Sequence, residues 1–250
     1  MVKEKIITTV PSSWYVRFDQ DKTDVVDDSR RLNTEIPIID IKRLCSSTAM
    51  DSEQSRAYLV NHGIDPSFLD KTKSEIQGFF NLPMEEKKFW QQPYEIKFFG
   101  QAFIVSEDQK LDWADLFFHT VQPVELRRPH LFPKLPLPFR DTLETYSAEV
   151  QSVAKILIAK MAKALEIRPE EMEKLFVDVD SAQSMRMNYY PPCERPDQVI
   201  GLTPNSDSVG LTILMQVNKV EGLQIKKDGK WVPVKPSPKF FHCQYWRRFR

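Results

Sequence analysis

The spacing of apolar residues changes partway along this chain, and the change separates two kinds of element. In the first part the spacing is helical. Asp65-Pro66 reads as a cap followed by proline at the first helical position. Phe68, Leu69, Ile76, Phe79 and Phe80 then share a face as far as Asn81-Leu82-Pro83. Pro83 opens a second short helix, Met84 to Trp90. The longest helix is predicted from Leu143 to Ile167, where Tyr146, Val150, Val153, Ile156, Leu157, Met161 and Leu165 recur at helical spacing. Lys155, Lys160 and Lys163 lie mostly off that stripe, as expected for a structural helix packed on a sheet.

After Val179 the pattern shortens. Ser184–Tyr190, Leu211–Gln216, Leu223–Lys226 and Trp231–Val234 are short β-rich runs. Pro191-Pro192, Asn218 and Asp228-Gly229 separate them, and Asp228-Gly229 between apolar runs signals a hairpin. Upstream, Ile36-Pro37-Ile38-Ile39-Asp40-Ile41 reads as a short buried strand, with Pro37 tolerated at its start or edge. Asp19 to Thr34 is polar and charged, the texture of a surface connector. A helical part followed by an all-β part predicts an α+β fold, with a helical N-terminal region packed on a jelly roll.

Composition narrows the partners. Lys+Arg and Asp+Glu are both 35 in 250 residues, so charge gives no reason to expect nucleic acid or an anionic membrane. No run approaches the ~18 apolar residues of a membrane span, and no secretory signal is visible at Met1-Val2-Lys3-Glu4-Lys5. Cys45, Cys193 and Cys243 form no zinc spacing and read as reduced thiols of a cytoplasmic protein. Only 7 glycines argue against a nucleotide fold built on Gly-rich loops.

Several strings then agree in order. They are Ile36-Pro37-Ile38-Ile39-Asp40, Val60-Asn61-His62-Gly63, Asp112-Trp113-Ala114-Asp115 and Pro129-His130-Leu131-Phe132-Pro133. Arg186-Met187-Asn188-Tyr189-Tyr190-Pro191-Pro192-Cys193 follows, then Gly201-Leu202-Thr203-Pro204 with Ser206-Asp207. Gly210-Leu211-Thr212-Ile213-Leu214, Val220-Glu221-Gly222-Leu223-Gln224-Ile225 and Trp231-Val232-Pro233-Val234 complete the set. Together they resemble the plant 2-oxoglutarate/Fe(II)-dependent dioxygenases, of the isopenicillin-N-synthase-like, senescence-related and O-demethylase type.

The resemblance implies an oxygenase that hydroxylates, desaturates or O-dealkylates a small plant metabolite. Its cofactors would be Fe(II) and 2-oxoglutarate, with ascorbate as an accessory reductant. Asp207 matches the family's carboxylate ligand. Asn205 stands where the first histidine ligand belongs and offers only a neutral amide oxygen. Asn188 and Tyr190 match the Asn-x-Tyr pair that helps hold 2-oxoglutarate. A third ligand histidine and the Arg-x-Ser pair for the distal carboxylate have no counterpart here.

The implied organisation is an extension over 1–34, an internally shortened N-terminal domain over 35–140 and scaffold helices over 141–180. A partial jelly roll over 181–238 and a divergent tail over 239–250 follow. The expected fold is therefore α+β on an incomplete double-stranded β-helix. A helix and strand of the family are expected between Asp51 and Leu59, where the chain runs straight on. Missing strands would leave bare edges, which predicts low stability. A non-catalytic truncated product, or a binding module pairing its open edge with another chain, is the alternative. Oligomeric state is left open.

The histidines add little. His62 reads as a structural hydrogen-bonding residue, and His130 as structural in a loop. His119 is a candidate for the substrate pocket, against a packed or solvated histidine. His242 lies too soon after Asp207 to match the absent ligand. Asp112 and Asp115 read as a local cap or salt bridge rather than an acid–base pair.

Overall fold

A computed structural model describes residues 14–17, 36–46, 56–87, 98–100, 110–127, 135–177, 182–205, 209–227, 229–237 and 240–245. The chain divides into two units, and neither is a single stretch of sequence. The first comprises Met1–Lys22, Gly78–Lys134 and Ser184–Asn205; the second comprises Thr23–Gln77, Leu135–Gln183 and Ser206–Arg250. Among the described residues no helix is long and apolar enough to cross a membrane.

The second unit is built on a four-stranded sheet. Strand β1 (Ile38–Asp40) is followed at once by helix α1 (Ile41–Ser46). The predicted strand stops at Asp40 because its carboxylate caps the helix, accepting from the Arg43 amide at 3.1 Å. Strand β2 (Arg56–Val60) crosses the point where family elements were expected to be missing, and it is continuous. It leads into the turn Asn61-His62-Gly63, where Asn61 and Gly63 take φ of 52° and 87°. Asn61 Nδ2 donates to Asp40 Oδ2 at 2.8 Å, and the Ile64 amide donates to His62 Nδ1 at 3.2 Å. His62 is thus the turn residue that was expected.

Strands β6 (Leu211–Leu214) and β9 (Phe241–Tyr245) complete this sheet in the order β1-β2-β9-β6. Residues expected to form a divergent tail therefore supply an interior strand, antiparallel to both neighbours. The alternation explains it. Ala57 and Leu59 sit opposite Cys243 and Phe241, and all four are at most 1% exposed. Tyr58 and His242 face the other way with ring centroids 5.8 Å apart, and the Tyr58 hydroxyl donates to the Lys235 carbonyl. His242 is thereby a buried packing residue of the sheet. Burial pushes the Cys243 thiol up to about 12, so it stays protonated.

Helix α4 (Phe139–Ala164) begins four residues before the predicted start. It buries Leu143, Tyr146, Val153, Leu157, Ile158 and Met161, and the Tyr146 ring lies 6.5 Å from that of Phe241. Its end is closed by a Schellman pattern: Glu166 N–H donates to Lys163 O and Ile167 N–H to Ala162 O, with Glu166 at φ 56°. The predicted helix overran to Ile167 because no glycine marks this stop. Helix α5 (Pro169–Val177), inside the span expected to hold scaffold helices, packs Met172 onto Ile158, Met161 and Ala162. Strands β7 (Gln224–Lys227) and β8 (Lys230–Pro233) form the predicted hairpin, with Gly229 at φ 78°.

Helix α2 (Pro66–Phe80) has the cap its sequence announces. Asp65 Oδ1 accepts from the amides of Ser67 and Phe68 at 2.8 and 3.0 Å. These bonds hold the Asp65 carboxyl below its ordinary range, the Ser67 hydroxyl contributing most. Leu69, Thr72, Ile76, Phe79 and Phe80 form its buried stripe.

The first unit holds helix α3 (Met84–Lys87), and residues 88–90 of the predicted helix lie outside the described residues. Its three-stranded sheet runs β3 (Phe98–Gly100), β4 (Asp115–Gln122), β5 (Gln183–Tyr189). Strand β4, absent from the sequence-based expectation, is buried on both faces through Leu116, Phe117, His119, Thr120 and Val121. A strand covered on both sides carries no alternation to detect.

Candidate functional site

The side chains matched to 2-oxoglutarate binding stand at the end of β5. Strand alternation sends Met187 and Tyr189 to one side, where Tyr189 stacks on Phe80 with centroids 5.5 Å apart. Arg186, Asn188 and Tyr190 share the other parity. Arg186 Nε donates to Asn188 Oδ1 at 2.9 Å. That contact engages the amide oxygen and leaves Nδ2 as the donor. Tyr190 is 48% exposed, and partial desolvation raises its phenol above the ordinary value, leaving it a hydrogen-bond donor at neutral pH. A donor amide beside a donor phenol suits the carboxylate of a 2-oxo acid.

The loop from Gly201 to Asn205 is held by groups from remote parts of the chain. Asp112 Oδ1 accepts from the Thr203 amide at 3.0 Å and from the Thr203 hydroxyl. Arg17 Nη2 pairs with the same oxygen at 3.2 Å and also donates to Thr203 Oγ1 at 2.8 Å and to Lys110 O. The pair is largely buried, at 14% and 15% side-chain exposure. Next to it the Trp113 amide donates to Ile200 O at 2.8 Å, and Trp113 Nε1 donates to Pro191 O at 2.9 Å. Arg17 N–H reaches Gln198 O, and Leu111 N–H reaches Trp14 O. Three separated strings, at residues 14–17, 110–113 and 191–203, thus converge. Asp112 is the salt-bridge residue that was expected. Arg17, placed in the N-terminal extension by sequence, was missed; one arginine between Val16 and Phe18 gives no signal.

Asn205 is described and exposed, whereas Asp207 and His130 lie outside the described residues. Among the described residues no three His, Cys, Asp or Glu side chains cluster as a metal would require. Asn205 offers a neutral amide oxygen in place of the imidazole that suits Fe(II). His119 sits in the middle of β4 at 3% exposure, which supports the packed alternative for it. Burial, and secondarily the charge of Arg127, pull its imidazole down to about 4. Asp115 and Lys87 face one another electrostatically. Burial raises the carboxyl and lowers the ammonium, and each partly offsets the shift of the other. Lys87 Nζ also donates to the Phe80 carbonyl at the end of α2, at 2.8 Å.

Comparison with known proteins agrees with these motifs. The 2OG-Fe(II) oxygenase superfamily matches residues 181–244, so the match runs through most of β9. The family described as non-haem dioxygenase in morphine synthesis N-terminal matches residues 36–135. Protein SRG1 of Arabidopsis thaliana is 78% identical over 252 residues, covering 96% of this chain and 70% of that protein. The chain belongs to the 2OG-Fe(II) oxygenase superfamily.

A second relative, thebaine 6-O-demethylase of Papaver somniferum, is 50% identical over 220 residues, covering 82% of this chain and 60% of the demethylase. The chain therefore spans 60 to 70% of the length of these two relatives. The crystal structure of JOX2 in complex with 2OG, Fe, and JA aligns with a TM-score of 0.76 at 26% identity, covering 97% of this chain and 70% of that one. This likeness, with the family match, supports the α+β jelly-roll class expected from the pattern.

Proposed function

We propose that this oxygenase chain binds 2-oxoglutarate at the Asn188–Tyr190 end of β5 but holds Fe(II) weakly, with little or no turnover of its own. Its ancestral reaction is hydroxylation, desaturation or O-dealkylation of a small plant metabolite. The O-dealkylation branch is supported by the names of two relatives, thebaine 6-O-demethylase and codeine O-demethylase.

Asn205 carries the reading of weak metal binding. An imidazole is a σ-donor suited to Fe(II); an amide oxygen is neutral and hard, and suits calcium or magnesium better. Asn188 and Tyr190 lack that defect, since their role needs only donors. The two functions should therefore separate in this chain.

Anaerobic titration with Fe(II), with and without 2-oxoglutarate, followed by the metal–ligand absorption band, tests the separation. The wild-type chain is expected not to saturate in the micromolar range. Asn205→His is expected to tighten Fe(II) at least about tenfold, the lower end of what even an outer-shell partner of a metal ligand contributes. A saturable one-to-one wild-type band would overturn the weak-metal reading. Loss of 2-oxoglutarate binding in both proteins would favour the non-catalytic binding module.

A further inference from the structure

We propose that Asp112 and Gly201 are positioning residues for Tyr190: Asp112, paired with Arg17, pins Thr203, and the pinned loop lays Gly201 against the Tyr190 ring. The inference rests on the reading of Tyr190 as a 2-oxoglutarate contact only for its functional meaning; the contact itself is geometric.

The close approach decides the role of Gly201. A Cβ at this position would lie 2.9 Å from Tyr190 Cδ1 and 3.0 Å from Cε1. Such distances force something to move, so only glycine lets the loop and the ring occupy this arrangement. Gly201 has no positive φ that would explain it otherwise. The requirement is packing against one side chain, and that side chain belongs to the candidate site.

The loop must then be prevented from drifting away from the ring. Asp112 provides the restraint through two bonds to one residue, the Thr203 amide and the Thr203 hydroxyl. Two donors from a single residue fix its orientation as well as its position. Arg17 supplies the counter-charge and a further bond to Thr203 Oγ1. Trp113, the next residue after Asp112, holds both flanks, donating to Ile200 O before the loop and to Pro191 O after Tyr190. The ring is thus bracketed in sequence and in space by groups tied to residues 112 and 113.

The test reads the ring directly. The full chain is labelled with 3-fluorotyrosine, and among its 7 tyrosines the Tyr190 resonance is assigned by its loss in Tyr190→Phe. Spectra are recorded without ligand or metal. Gly201→Ala and Thr203→Val are expected to move or broaden the Tyr190 signal by more than its linewidth. Thr203→Ser, which keeps hydroxyl and amide, should return it to the wild-type position. Met172→Ala, a core truncation in the other unit, supplies a destabilised control that should leave the signal in place. Asp112→Ala should resemble Thr203→Val; should it fail to fold, the Thr203 and Gly201 variants still decide. An unmoved signal in Gly201→Ala and Thr203→Val, with a melting temperature lowered as in Met172→Ala, would overturn the proposal. Adding 2-oxoglutarate to the wild type then tests the other reading separately. A Tyr190 signal indifferent to 2-oxoglutarate would refute its role as a contact and leave the positioning device intact.

Discussion

The loop around Thr203 and the sheet around Phe241 reach order by opposite means. The loop is fixed by polar atoms: one carboxylate oxygen of Asp112 collects Arg17 and both donors of Thr203. The sheet is fixed by apolar register: Ala57, Leu59, Phe241 and Cys243 fill one face and are all nearly inaccessible. Hydrogen bonds specify direction but contribute a modest net free energy each, about 0.5–1.5 kcal/mol. Apolar burial contributes more but tolerates many side chains of similar volume. The difference teaches why a divergent segment can still build β9 while Asp112 and Thr203 cannot be traded so freely. A strand needs alternating volume and two paired edges, and Phe241-His242-Cys243 supplies them. A polar anchor such as Asp112 needs one chemistry at one place.

The largest expected effect lies in the sheet. Phe241 touches His62 and Tyr146, with centroids 4.6 and 6.5 Å away, and is 1% exposed. Truncation by Phe241→Ala should cost about 3–5 kcal/mol, most of it from the unfilled cavity. That is a large share of the ~5–15 kcal/mol that stabilises a domain. Urea unfolding followed by far-ultraviolet circular dichroism should show a midpoint shifted far to low denaturant, or no folded baseline. A loss under about 1 kcal/mol would mean that the Phe241 ring is not a main support of the sheet.

The contrast sharpens with pH. The first unit buries His119 in β4 with its pKa near 4, against 6.5 for an unburied imidazole. Between those values the unfolded chain binds the more protons. Stability is therefore fully present above pH 6.5, falls as pH drops toward 4, and levels off below it. The full contribution is on the order of 3 kcal/mol. Urea midpoints at neutral and mildly acidic pH should differ for the wild type, and His119→Gln should flatten the difference. The cost of Phe241→Ala should not follow this slope, because it removes carbon rather than charge.

How much of this was legible in sequence follows the same division. Helix α2 announced itself through Asp65-Pro66 and a clean stripe, and the β7–β8 hairpin through Asp228-Gly229. These signals are local, and each names its own physical cause. Strand β4 was invisible because both faces are buried and Leu116-Phe117-Phe118 has no period. Strand β9 was misjudged because Lys239–Arg250 was read by likeness to a family pattern instead of by alternation and volume. At the candidate site, Asn188, Tyr190 and Asn205 were legible through the motifs they occupy. Arg17 and Thr203 were not, since their meaning arises only when residues 14–17, 110–113 and 191–203 meet. Polar convergence over more than 180 positions leaves no mark on either partner's neighbours.

The smallest effect probes a position where neither polar contact nor burial decides, only the backbone. Glu166 closes α4 in the left-handed region at φ 56°, the place where a Schellman turn favours glycine. In that region a Cβ lies close to the following carbonyl oxygen, and the charge of Glu166 sits beside the negative end of the helix dipole. Against this, glycine frees the unfolded chain. The strain term is larger, so Glu166→Gly should raise stability by about 1 kcal/mol. Glu166→Gln removes the charge and keeps the Cβ, and should recover only a few tenths of that, near ~0.3 kcal/mol. Urea midpoints of both variants separate the causes. If the glutamine variant gains as much as the glycine variant, the helix end is limited by charge. If neither gains, Ile167 packing on Met161 and Ala162 already fixes the turn, and apolar contact governs the second unit down to its helix ends.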